Sequence, residues 1–179
     1  MSIIFEEDIR ESSVKDVAAK MMLAARTAPK ARGSDNLIIA LADKDEIIKI
    51  AALMHELAES TRLPHFARDA ECILKAEVLF LIGTKIVPLG VDCGLCGFSS
   101  CKEKMQNPKC PCAFNTGDLG IALGSAVSVA LNHRVDNRIM HSVGTAVHKL
   151  GLLGKDVKIC YGVPLSATHK NVFFDRKHV

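Results

Sequence analysis

Five of the chain's seven cysteines fall between Asp92 and Cys112, in the run DCGLCGFSSCKEKMQNPKCPC. Their order is Cys93-x2-Cys96-x4-Cys101-x8-Cys110-x-Cys112. Two cysteines separated by two residues can point at one metal centre when the chain turns back within a single loop. Gly94 and Gly97 directly follow Cys93 and Cys96. They relax the backbone so that its N–H groups can face sulfur, and such contacts tune the potential of a cluster. The sequence on either side of this stretch is ordinary α/β material, so the chain is read as one domain, residues 1–179, with a metal-binding insert at 92–112.

The chain is long enough to bury a real core. A hydrophobic fraction of 49% and a charged fraction of 24% are ordinary globular values. Nucleic-acid binding is not expected, because the formal charge is only +3 and no Lys/Arg block stands out. The N-terminus MSIIFEEDIRESS is acidic and lacks the regions of a signal peptide. No apolar run is read as reaching the roughly 18 residues of a membrane span. These features together predict a cytoplasmic protein, where dense cysteines are metal ligands rather than disulfides.

Three fates for the cysteines compete. A [4Fe–4S] cluster suits a close triplet plus one distal cysteine and is favoured. Structural zinc normally takes a second Cys-x2-Cys or a His pair, and Cys110-Pro-Cys112 is an awkward substitute. A disulfide knot is disfavoured by the compartment. For the fourth ligand, Cys110 precedes Pro111, as the last ligand of many ferredoxin motifs does, whereas Cys112 lies nearer a buried helix; Cys112 is favoured. Lys102, Lys104 and Lys109 put positive charge beside the site. They either favour a reduced cluster and an acidic electron donor, or are simply solvated, which is the preferred reading.

Along the chain, Ser13 and Asp16 have capping-box spacing, and apolar residues at helical intervals predict a first helix to about Ala25. The connection after it carries Arg26, Lys30 and Arg32. These cations serve the helix C-terminus or, in the sharper reading, bind an anion. Leu37–Leu41 and Val78–Ile82 read as strands buried on both faces. Helices are expected from Asp43, from Pro64 to about Ala76, over Asp118–Leu131 and over about Asn137–Leu150. The third of these is apolar all round and rich in small residues, and so reads as fully buried. Cys72 reads as a core thiol. Val157–Tyr161 should be a strand, Gly162-Val-Pro164 a turn, and Asn171–Asp175 a last strand or an arm. His141 and His148, two turns apart on one helix, are not spaced as metal ligands.

The elements Cys93-Gly-Leu-Cys96-Gly-Phe-Ser-Ser-Cys101 and Asp118-Leu-Gly-Ile-Ala-Leu-Gly-Ser-Ala126 resemble an uncharacterised prokaryotic family described as containing a ferredoxin domain. The first is also similar to the [4Fe–4S] motif of the corrinoid proteins of acetyl-CoA synthase/CO dehydrogenase. Ala24-Ala-Arg-Thr-Ala-Pro29, the Asp118 helix and Tyr161-Gly-Val-Pro164 resemble, in order, elements of flavin-dependent nitroreductases. That resemblance implies an α+β sandwich, a homodimer and FMN at the subunit interface. The cysteine stretch then lies before a central buried helix. In that family basic residues hold the flavin phosphate; here Arg176 stands for the C-terminal one, and the N-terminal arginine pair is absent around Arg10. The implied function is an iron–sulfur oxidoreductase or electron carrier working with a redox partner protein or a small-molecule acceptor. The alternative is a non-catalytic zinc- or cluster-stabilised redox-sensing module.

Overall fold

In a computed structural model that describes residues 3–175, the apolar runs become one antiparallel sheet. Its strands are β1 (Leu37–Ala42), β2 (Val78–Lys85), β3 (Asp136–Asn137) and β4 (Val157–Ser166), in the order β1-β2-β4-β3. Helices α1 (Glu6–Thr27) and α5 (Ala113–Asn132) cover one face. On the other lie α2 (Lys44–Thr61), α3 (His65–Ile73) and α6 (His141–Leu150). A single helical turn, α4 (Cys101–Met105), stands inside the cysteine stretch.

Strand β2 explains why an apolar run without alternation makes a strand. Val78, Phe80 and Ile82 pack into the core beneath α1 and α5, while Leu79 and Leu81 pack into the core on the α2/α3/α6 side. The period of two thus delivers apolar side chains to both layers. Strand β1 does not share this fate, because it forms an edge and its central residues are only half-buried.

Several boundaries differ from the sequence-based expectation. Helix α1 begins about two turns before Ser13. Glu6, Glu7 and Asp8 occupy its first turn, where the helix dipole favours anions, and Glu6–Arg10 and Glu11–Lys15 pairs brace the exposed surface. Strand β4 runs straight through Gly162-Val-Pro164, the expected turn. Gly162 exchanges both backbone bonds with Met140 on the β3 side. The missing N–H of Pro164 faces that same side, where no strand residue pairs with it. Helix α6 starts at His141 rather than near Asn137, because Asp136–Asn137 is consumed as β3. Helix α3 stops at Ile73, short of Ala76. Asn171–Asp175 forms a turn instead of a strand or arm, with Phe173 plugged into the core.

Helix α5 needs two corrections. It starts directly after Cys112, not at Asp118, and it is not buried all round. Leu119, Ala122, Leu123, Ala126 and Ala130 are buried beside α1 and the sheet, whereas Gly120, Gly124 and Ser128 are exposed and Ile121 is 51% exposed. This helix is also long and apolar enough to cross a membrane by length and composition, which corrects the reading that no segment is. Within the fold it is tied by polar bonds: Ser125 Oγ donates to Ala24 O at 3.1 Å, and Asp118 Oδ1 accepts from Ala31 N at 3.0 Å.

Candidate metal centre

The cysteine stretch occupies the connection from the end of β2 to the start of α5, and short-range chemistry shapes it. Gly94 (φ 71) and Gly97 (φ 86) both adopt left-handed backbone, and Gly97 N donates to Gly94 O at 2.9 Å. That turn folds Cys96 back beside Cys93 and needs residues without a Cβ penalty. Asp92 then accepts the Cys101 N–H at 2.6 Å, drawing the third cysteine to the first. Ser100 caps α4 by accepting from Glu103 N at 3.2 Å. In return Glu103 accepts from the backbone and hydroxyl of Ser99, at 3.0 and 2.6 Å. Those two bonds, the hydroxyl's first, hold the Glu103 carboxyl below its usual titration range. At the far end, Asn115 Oδ1 accepts the Val87 N–H at 2.7 Å, fastening the loop's entry to the first turn of α5.

Cys93, Cys96, Cys101 and Cys112 line one pocket, walled by Phe98 and Phe114 and joined by Lys104. Cys110 is half-buried and does not line it. All seven cysteines are free thiols. Cys93 is exposed, Cys96 and Cys101 are half-buried, and Cys112 is 5% exposed at the N-cap of α5. The space between these side chains is about 10 Å³, roughly one water. Among the described residues no three His, Cys, Asp or Glu side chains converge as the ligands of one ion. A tetrahedral zinc needs all four sulfurs about 2.3 Å from a common point, whereas a cluster spreads its thiolates around a larger cage. The donor set, four thiols around one pocket, suits a cluster better than a single ion.

The reading of the lysines as solvated fits Lys102 and Lys109, and Lys104 departs from it. Lys102 and Lys109 are exposed, but Lys104 is only 2% exposed. It stands three residues after Cys101 on one turn of helix, so both side chains share the face that meets the pocket.

The cations considered for an anion site have internal partners. Arg26 pairs with Asp35 and donates to Leu37 O at 3.2 Å. Burial pushes the Asp35 carboxyl up, but the Arg26 guanidinium and the Leu37 amide together hold it below its usual range. Lys30 Nζ donates to the carbonyls of Ala25, Arg26 and Ala28 at 3.1, 2.8 and 2.7 Å, the role expected of a cation closing a helix C-terminus. Arg32 donates to Leu89 O at 2.9 Å, at the edge of the cysteine pocket. Arg176 lies outside the described residues. Cys72 is buried, as expected, and burial raises its thiol pKa.

One buried network was missed. Asp69, 3% exposed, accepts from Ser142 Oγ at 2.6 Å and from Arg68 at 2.8 and 3.0 Å, with Arg138 at 3.7 Å. The available signal was its position between Phe66 and Ile73 on the buried face of α3.

A family model described as "Uncharacterized protein containing a ferredoxin domain" (DUF2148) matches residues 108–176, which include Cys110 and Cys112. An "Uncharacterized protein" of Archaeoglobus fulgidus is 45% identical over 182 residues, spanning 97% of each chain. The chain belongs to this ferredoxin-domain family. Among solved structures, a BluB-like flavoprotein from Clostridium difficile 630 matches with a TM-score of 0.60 at 19% identity, over 92% of this chain and 85% of the other. A nitroreductase family protein from Clostridium novyi NT matches with a TM-score of 0.57 at 13% identity, over 84% and 73%. The family member described here therefore has the nitroreductase-like α+β fold that the sequence resemblance implied.

Proposed function

We propose that this ferredoxin-domain protein is a cytoplasmic iron–sulfur redox protein, with a [4Fe–4S] cluster held by Cys93, Cys96, Cys101 and Cys112. The observation that carries the reading is the single pocket these four thiols share, with Cys110 outside it. A cluster at this place exchanges single electrons with a partner protein or a small acceptor. The chain's own part is to fix three thiols on a Gly94/Gly97 turn and a one-turn helix, and the fourth at the buried start of the long α5. Because the pocket as it stands has room for about one water, loading requires the exposed side of the loop to yield.

The fold is shared with a flavoprotein, which supports a flavin here. FMN's phosphate would need cations, and Arg26 and Lys30 are already engaged within the chain. No electron step is assigned to flavin for that reason. The homodimer that the nitroreductase resemblance implies belongs to the same proposal. It is supported by the open face of α5, where Gly120 and Gly124 have clear space above them beside exposed Ile121. Anaerobic purification with iron, acid-labile sulfide, zinc and flavin measured together is the test. Brown protein holding equal iron and sulfide is the expected result. Colourless protein with stoichiometric zinc and no sulfide would sink the cluster.

A further inference from the structure

A cavity of about 410 Å³ opens between α3, the chain just before α6 and the C-terminal turn. That is an ordinary size for a small-molecule site, whereas the cysteine pocket has room for about one water. Three cations line it, Arg68, Lys75 and Arg138, with Val172 and Cys72 as apolar wall. Both arginines are positioned by Asp69, which is 3% exposed. Its Oδ2 accepts from Ser142, so the guanidinium groups converge on Oδ1. Arg68 donates to that atom at 2.8 and 3.0 Å, and Arg138 Nη1 stands 3.7 Å from it. One carboxylate charge thus answers two guanidinium charges. Arg138 is fixed further by donating to Phe173 O at 3.1 Å, and its guanidinium sits 5.3 Å over the Phe174 ring.

The acids of the lining already have partners elsewhere. Glu71 is hydrogen-bonded to His55 at 3.1 Å, and Asp175 pairs with Lys170. Burial and the Asp69 charge push the Cys72 thiol up, while Arg138, Lys75 and Arg68 pull it down, so all three cations act on the same wall. We infer that this cavity binds a small organic acid, an oxyanion headgroup (carboxylate or phosphate) on an apolar body. Arg68 and Arg138 take the headgroup, because a planar guanidinium fork matches either oxyanion, and Lys75 adds a point charge. The body packs against Val172 and Cys72. Asp69 holds the arginines in place before the ligand arrives, which lowers the ordering cost of binding. The cavity shares no lining residue with the cysteine pocket among the described residues, so the inference does not depend on the cluster.

Isothermal titration of the full chain with benzoate, phenyl phosphate, benzyl alcohol and FMN tests this. At least one of the two acids should bind one-to-one with a Kd below about 1 mM. The better of the two identifies the headgroup. Benzyl alcohol, which has the apolar body without the charge, should bind at least about tenfold more weakly. Arg138→Gln should weaken the acid at least about tenfold, and Arg138→Lys, which keeps the charge without the planar fork, should lose less. Val172→Trp fills the cavity from a half-buried position and removes no partner of Asp69, so it should abolish binding while the melting point stays near wild type. Should Arg138→Gln fail to fold, Val172→Trp and the comparison of acid with alcohol decide alone. No saturable binding of either acid, equal affinity for the alcohol, or undiminished binding in both Arg138→Gln and Val172→Trp overturns the inference. FMN bound more tightly than either acid, and lost in Val172→Trp, overturns it in favour of a flavin.

Discussion

Gly144 on α6 stands against the backbone of β4. A Cβ built there would overlap the Cys160 carbonyl and lie 2.9 Å from Tyr161 N, inside the 3.0 Å that real Cβ atoms essentially never cross. Both obstacles are backbone, so no rotamer change relieves Gly144→Ala, and α6 must withdraw from the sheet. Overpacking of this kind costs about 1–3 kcal/mol where side chains can adjust, and the upper end applies here. The withdrawal also pulls Ser142 away from Asp69, a 2.6 Å bond to a buried carboxylate worth about 1.5–3 kcal/mol. A total of roughly 4–6 kcal/mol corresponds to a melting point lower by about 8–24 °C, at the 2–4 °C per kcal/mol usual for domains of 150–250 residues. Thermal unfolding followed by circular dichroism, with urea titration for the free energy, reads this directly. The control is Gly120→Ala on α5, where the added Cβ meets nothing within 4 Å. At a dilution that leaves monomers, it should gain about 0.5–1 kcal/mol from helix propensity. A Gly144→Ala protein within about 0.5 kcal/mol of wild type would refute the packing argument.

The remaining predictions concern the thiols and the open helix face. Cys112→Ser is expected to lose most bound iron and sulfide, while Cys110→Ser keeps them, as read by iron and sulfide assays after anaerobic reconstitution; the reverse pattern reassigns the fourth ligand. Burial pushes the Cys160 thiol up to about 11 from 9.0. Its contribution to stability is therefore full below pH 9 and lost as pH rises towards 11, amounting to about 2–3 kcal/mol. Urea titrations should show this extra alkaline loss in wild type and not in Cys160→Ala. Ile121→Glu places a charge on the exposed stripe of α5 and should abolish a dimer in sedimentation equilibrium without lowering the monomer's melting point; an unaffected dimer would place the interface elsewhere.

The elements that could be read from sequence are those whose physics is local. Asp43 as the cap of α2, the doubly covered β2, Gly151 as the stop of α6 and the turn-forming glycines after Cys93 and Cys96 all follow from short-range rules. Misread elements depended on distant neighbours. Gly162 and Pro164 signal a turn by themselves, but the partners of β4 keep them extended. Helix α5 is apolar all round by composition, while its burial is decided by where α1 stops covering it. Lys104 looks like any loop lysine until the fold closes over it, and Asp69 hides among apolar residues until Arg68, Arg138 and Ser142 surround it.

The sheet and the cysteine loop are held by different physics. On both faces of the sheet, apolar layers supply a cohesion that no metal is required for. The loop has few such contacts. Val87, Val91, Leu95 and Met105 are exposed, and its order depends on a handful of polar ties, chiefly Asp92 to Cys101, Glu103 to Ser99 and Asn115 to Val87. Single hydrogen bonds each contribute only about 0.5–1.5 kcal/mol net, too little to fix four thiols against chain entropy. A metal centre bound by these thiols would supply the missing cohesion, because its binding free energy would also be the loop's ordering free energy. The anchored end of the loop is therefore decisive. Cys112 sits buried at the start of a helix bonded to α1 and to the turn at Ala31, which makes it the fixed point of the pocket, whereas Cys93 lies on an exposed turn.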